Sequence, residues 1–250
     1  MARTRPQIPG IASSTQPHTS ARGSVGQAVY QRLRTAVLDC TFTPGMALSE
    51  QSVSDEMGVS RAPVREAFRQ LVSEGLLEVM PQRGTFVARL NRDQITDAIF
   101  VREAIECRAA ELACLAPQAQ RKALLEIVEL QAQASAQSQY SVHLSSDEEL
   151  HHQILVLAGH PHAWGPLRLA RTGMNRIRHL AIPEIGSHHI ALQEHRQLVR
   201  AIVRGDAAKA VNLMRQHIRS PLNFLEQIAR SAPELFTELP LAASKPQISK

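Results

Sequence analysis

Four residues have the side chains and the spacing to hold a divalent metal ion. Asp147 and His151 stand four apart in a helically patterned segment, so their side chains meet on one face. His195 and His217 flank the pair Gly205 and Asp206, where glycine stops one helix and aspartate caps the next. In an antiparallel helical hairpin, at about 1.5 Å of rise per residue, the two imidazoles lie at nearly the same height. One carboxylate and three imidazoles suit a borderline cation, zinc foremost, with nickel or manganese as alternatives. Such a set forms a closed structural site or, with a larger coordination sphere, leaves positions for water or a ligand carboxylate. Scattered surface histidines satisfy the same spacing, and spacing alone leaves both readings open. His152 is rotated by roughly 100° from His151 and falls outside the set. His143, His160, His162, His179, His188 and His189 lie near loops or helix ends and need no role.

Arginines form the second group. Arg61, Arg65 and Arg69 recur every four residues, opposite an apolar stripe of Val64, Ala67, Phe68 and Leu71. A helix there lines the arginines along one exposed edge, with Ser60 as its N-cap and Pro63 in the first turn, where a missing N–H costs nothing. Such an edge suits phosphates and base edges in a major groove, although alone it is more often a solvated face. Arg102 differs, because Ile95, Ala98, Arg102, Ile105, Ala109 and Leu112 follow the 3/4 spacing of a buried stripe. A buried guanidinium must be paired, either with an internal carboxylate or with an anionic ligand. Arg171 and Arg178 edge the stripe of a helix predicted over 164–181 and could serve the same purpose.

The elements that position these groups are legible in the patterning. Val25, Val29, Leu33 and Val37 predict a helix over 24–39, broken by Thr43, Pro44 and Gly45. A short helix over 49–57 follows, with Ser49 as N-cap and Gly58 as a left-handed turn, and then the arginine-bearing helix over 60–71. Segments 76–80 and 85–89 read as strands around Pro81, Gln82, Arg83 and Gly84, a hairpin with Arg83 at its tip. Helix, turn, arginine-bearing helix and basic-tipped hairpin make a winged helix-turn-helix over 24–90. From Arg92 onward the pattern is helical, interrupted at Pro117, Gly159 to Pro161, Pro183 with Gly186, and Gly205, giving about six helices in an all-α bundle over 91–230. Residues 1–23 read as a disordered arm rather than a transit peptide, and 231–250 as a flexible tail, loose from Pro233. The fold class is mainly α. The linker over 88–91 is short enough to couple the two domains.

Composition agrees. Aromatic residues make up 4% of the 250 residues, which disfavours a β-sandwich. No apolar run reaches the roughly 18 to 20 residues needed to span a bilayer. Three cysteines cannot form a paired framework, which predicts a reducing, cytoplasmic setting. The net charge is +5, yet residues 24–90 carry seven arginines and seven acids. Binding to a polyanion therefore depends on where the arginines point, not on the local sum.

The segments FTPGMALSE (42–50), GVSRAPVREA (58–67), LVSEGLL (71–77) and RGTFV (83–87) together resemble the GntR family of bacterial transcription regulators. The resemblance implies double-stranded operator DNA as partner, with Arg61 and Arg65 on bases and phosphates and the wing tip in the minor groove. The expected contacts are Arg61, Ala62, Pro63, Arg65 and Arg69 on the recognition helix, with Arg83 and Gly84 on the wing. Gln51 departs from the arginine often found there. DEELH (147–151), Ala158 with Gly159, Glu194 with His195, Gly205 with Asp206, Ala210 and His217 resemble the FCD effector domain of FadR-like members. That likeness implies a divalent metal on Asp147, His151, His195 and His217, at the floor of a pocket for small carboxylates. Arg102 and Arg178 are then the expected effector contacts. His160 replaces the usual asparagine of its loop.

The reading is a homodimeric, nucleoid-associated bacterial regulator, expected to be a repressor of a palindromic operator, that responds to a carboxylate. A regulator of the metal alone is the alternative. A metal-dependent hydrolase is disfavoured, because no HExxH segment, glycine-rich phosphate loop or nucleophile–base pair is present and the winged domain would be left unexplained.

Overall fold

The computed structural model describes residues 22–185 and 187–237. Of the arm expected over 1–23, residues 1–21 lie outside the described residues, whereas Arg22 and Gly23 are the first turn of a helix; the tail from 238 also lies outside. The first domain holds α1 (Arg22–Leu38), β1 (Ala47–Leu48), α2 (Glu50–Met57), α3 (Arg61–Ser73), β2 (Leu77–Met80) and β3 (Gly84–Val87). Val29, Leu33 and Val37 of α1 are buried against Val64, Phe68 and Leu71 of α3. Ser49 caps α2 through its hydroxyl, which accepts from the Ser52 amide at 3.4 Å. Gly58 takes φ +64°, and Ser54 Oγ donates to the Val59 carbonyl at 2.7 Å, closing the turn into α3. Ser60 has the extended backbone of an N-cap, but its hydroxyl makes no capping bond.

The sheet has the order β1-β3-β2 and is antiparallel throughout. Met80 pairs with Gly84, and Leu77 with Val87, which sets the wing hairpin. β1 is absent from the sequence reading; it is two residues long, too short to leave a period-two signal.

The second domain runs α4 (Arg92–Ala113), α5 (Gln118–Arg121), α6 (Ala123–Ala136), α7 (Tyr140–Leu157), α8 (Trp164–Ile185), α9 (Ser187–Arg204), α10 (Ala207–Arg219) and α11 (Leu222–Ser231). These are more than the six expected. Ser138 adopts φ +55° and separates α6 from α7, a left-handed break that neither glycine nor proline announces. Pro221 opens α11. The break expected at Pro183 with Gly186 agrees with the division between α8, which ends at Ile185, and α9, which starts at Ser187. As foreseen, Gly205 takes φ +77°, and Asp206 accepts from the Lys209 amide at 3.1 Å.

The expectation of a loose chain from Pro233 fails through residue 237. Leu90 donates its amide to Leu235 O and accepts from the Thr237 amide, both at 2.9 Å. Phe236 bridges Leu90 and is buried. The apolar side chains Leu235 and Phe236 join the helical core, and the linker's backbone groups are satisfied by the returning chain. Arg176 of α8 donates to Ala88 O at 2.6 Å, fastening the same linker from the other side.

Candidate functional site

α7, α9 and α10 bring Asp147, His151, His195 and His217 together, each at most 2% exposed. One donor atom from each lies within 4.8 Å of all the others. His217 Nε2 stands 3.2 Å from His151 Nε2 and 3.3 Å from His195 Nε2, and Asp147 Oδ1 stands 3.5 Å from His195 Nε2. For metal–nitrogen bonds of about 2.0–2.1 Å, the edges of a tetrahedron are roughly 3.3 Å, so these separations fit ligands around one cation.

The opposite ring nitrogens decide which atoms face inward. His195 Nδ1 meets Gln131 Oε1 at 2.7 Å, His217 Nδ1 meets Glu194 Oε2 at 2.8 Å, and His151 Nδ1 meets Glu106 Oε2. Each partner is an acceptor, so each Nδ1 carries the proton and each Nε2 presents a lone pair to the centre. Three converging lone pairs repel unless positive charge sits among them, which a metal would supply and which the Arg178 guanidinium, 3.1 Å from His217 Nε2, supplies in part. The sequence reading missed Glu106, Gln131 and Glu194. It also gave His143 and His188 no place, whereas both are buried beside the cluster. His152 lies outside, its ring 5.3 Å from Trp164.

Burial lowers the pKa of His151 to about 4, with Arg171 adding to the effect. It carries His195 and His217 well below the ordinary value too. Burial opposes ionisation of Asp147, but Arg178 and Arg171 outweigh it and hold the carboxyl well below the usual range. An unfolded histidine takes up its proton near pH 6.5, before the folded one does. Stability present above about pH 6.5 is therefore lost as pH falls toward about 4, by on the order of 1 kcal/mol per histidine per pH unit. Chelator-treated protein is expected to melt at a lower Tm at pH 5 than at pH 7; equal values would contradict neutral histidines.

Arg102 meets the internal carboxylate that was one of its two expected partners. It is fully buried and donates through Nε to Glu106 Oε1 at 2.6 Å, while Nη1 and Nη2 have no hydrogen-bond partner. Arg178 Nη1 donates to Asp147 Oδ1 and Oδ2 at 2.9 and 3.0 Å, and its Nη2 reaches His217 Nε2 at 3.1 Å. It thus places positive charge on the same groups that a metal would take. Arg171 also donates to Asp147. A cavity of about 20 Å³ adjoins the cluster, lined in part by His143, Asp147, Arg178 and Phe224; that is room for roughly one water molecule.

On the first domain, Arg61, Arg65 and Arg69 are exposed along α3 as expected. Arg61 Nη2 and Arg65 Nε both donate to Glu50 Oε2 at 3.2 Å, an anchor missed in the sequence. Exposed pairs of this kind contribute about 0–1 kcal/mol, so phosphates can displace Glu50 at little cost. Gln51 donates to Asp55 Oδ1 at 2.7 Å along α2. At the wing, Gln82 and Gly84 both have positive φ and Arg83 is exposed, its guanidinium 5.7 Å from the Phe86 ring centroid. Ala62 is exposed and Pro63 half-buried in the first turn of α3.

A winged helix-turn-helix fastened through its linker to a helical domain with a buried Asp/His cluster defines a class, the DNA-binding regulator with a second, all-helical domain. Residues 26–87 match the model of bacterial regulatory proteins of the gntR family, and residues 97–220 match the FCD domain. The chain is 34% identical over 209 residues to an uncharacterized HTH-type transcriptional regulator in an unstable DNA locus of Streptomyces ambofaciens, covering 83% of this chain and 88% of that protein. It is 29% identical over 215 residues to the HTH-type transcriptional repressor RspR of Escherichia coli, covering 86% and 94%. Its fold is similar to that of E. coli McbR/YncC, with a TM-score of 0.70 at 21% identity over 81% of this chain and 97% of that one. The chain belongs to the GntR family of bacterial DNA-binding transcriptional regulators and carries an FCD domain. These relatives are named as regulators, not enzymes, and no described helix is long and apolar enough to cross a membrane.

Proposed function

We propose that this protein is a homodimeric repressor that binds a palindromic operator through α3 and the wing, and whose DNA affinity is set by a small carboxylate bound at a divalent metal in the helical domain. The convergence of three Nε2 lone pairs and one carboxylate in a buried site carries the metal assignment. When bound, the metal supplies positive charge that fixes the three imidazoles and Asp147 and attracts a ligand carboxylate. The donor set favours zinc, with nickel or manganese as alternatives. Arg102, with two unpartnered nitrogens, supplies a second positive group for the effector, and Arg178 a third once it leaves Asp147. Repression is supported by the name of RspR.

A cavity of about 20 Å³ is too small for a metabolite, so an organic effector has to open the domain. α8 carries Arg171 and Arg178 on the cluster and Arg176 on the linker, and opening that moves α8 moves the linker as well. The same small cavity favours the second reading, a regulator of the metal alone. Titrating DNA affinity with zinc and with malonate, separately and together, separates them. The first reading expects a response to malonate in the zinc-loaded protein; a response to zinc with none to a panel of small carboxylates favours the second.

Self-association is supported by the outer face of α4. Phe100 is 76% exposed and Val101 38%, and Asp97, Phe100, Val101, Ala104 and Arg108 share that face by helical spacing. Antiparallel contact with a second copy sets Asp97 opposite Arg108 and closes the apolar patch between them. Phe100→Asp is expected to convert a dimer to a monomer in sedimentation analysis. A dimer of unchanged stability would move the interface elsewhere.

A further inference from the structure

We infer that Glu106 is a positioning residue that ties the candidate effector arginine to a candidate metal ligand, so that one carboxylate sets both the inward lone pair of His151 and the free edge of Arg102. The inference rests on the metal reading above. Glu106 is 1% exposed and its two oxygens are divided between two donors. Oε1 accepts Arg102 Nε at 2.6 Å, and Oε2 accepts His151 Nδ1. Arg171 Nη1 stands 3.6 Å from Oε2, beyond a good hydrogen bond. Because Arg102 is held through Nε, its Nη1 and Nη2 are left unpaired. Because Nδ1 of His151 is held as a donor, its Nε2 faces the cluster unprotonated.

A carboxylate can do this and its amide cannot. In Glu106→Gln one oxygen faces two donors, Arg102 Nε–H and His151 Nδ1–H, and the amide NH₂ meets whichever remains. The charged guanidinium keeps the oxygen. The NH₂ group then faces His151 Nδ1 and favours the other tautomer, with the proton on Nε2, where it blocks a metal. Removing the competing donor as well, in the double variant Arg102→Met/Glu106→Gln, lets the amide oxygen turn to His151 and restores the original tautomer.

The test is zinc affinity by competition with a chromophoric chelator, combined with histidine tautomers from long-range nitrogen–proton NMR of the metal-free full chain. Wild type is expected to show His151 protonated at Nδ1. Glu106→Gln is expected to show Nε2–H and to bind zinc about 10- to 100-fold more weakly, the usual cost of losing an outer hydrogen bond to a metal ligand. In the Arg102→Met background the same substitution is expected to cost less than about 3-fold, so the two effects are non-additive. An equal loss in both backgrounds, no loss in either, or a wild-type His151 protonated at Nε2 overturns the proposal. If Glu106→Gln does not fold, the wild-type tautomer and the comparison of the double variant with Arg102→Met still decide. Wild type that binds none of zinc, nickel and manganese removes the metal reading itself. Zinc bound by wild type with additive variants removes only the role of Glu106.

Discussion

His195→Ala is expected to strip the metal from the helical domain while the winged domain stays folded. His195 is fully buried and contributes the Nε2 that lies near both His217 Nε2 and Asp147 Oδ1, so its loss removes one of four donors and opens the cluster. Loss of an outer-shell partner costs about 10- to 100-fold in metal affinity, and the loss of a ligand itself is expected to exceed about 100-fold. The two hydrophobic cores are distinct, one over the first domain and one over the second, so damage at the cluster need not reach α3. Metal content per chain, together with hydrogen-exchange protection of α1 and α3, checks both halves. Full metal occupancy in the variant would reject His195 as a ligand.

The second large effect is on DNA. Arg65→Ala is expected to weaken operator binding by about 1–3 kcal/mol if the side chain reads a base. Arg65 lies half exposed on α3, with its side chain at 51% and Glu50 as its one ion-pair partner among the described residues, so its removal leaves no buried group unpaired there and the fold is expected to melt normally. A uniform loss across DNA sequences, with a shallower salt dependence, would assign Arg65 to a phosphate instead. Unchanged affinity would remove it from the interface.

The sequence disclosed what depends on local periodicity. The recognition helix was legible because Val64, Phe68 and Leu71 repeat against Arg61, Arg65 and Arg69, and the turn before it because Gly58 alone tolerates its backbone at no cost. For Asp147, His151, His195 and His217, one helical spacing and one helix–helix turn leave scattered surface histidines as an open reading, and it is the likeness to the FCD domain that points to their gathering. The groups that orient them were missed. Glu106, Gln131 and Glu194 act across 45, 64 and 23 residues; Glu106, four residues beyond Arg102 on the same stripe, and Glu194, next to His195 in the FCD-like segment, left signals that could have been followed, and Gln131 left none. Glu50 pairs with arginines 11 and 15 residues away, a tertiary contact that no periodicity encodes. The seating of Phe236 against Leu90 escaped for the same reason, since a short apolar pair after a proline looks the same whether it packs or not.

Selective retention of fragmented DNA from the host organism tests the central claim most directly. The purified full chain is mixed with the fragments at moderate salt, with and without zinc, and the retained DNA is sequenced. Enrichment of a short palindrome whose half-sites are spaced for two α3 helices is the expected result. Equal retention of all fragments in both conditions, falling steeply with salt, would be phosphate binding alone and would contradict it.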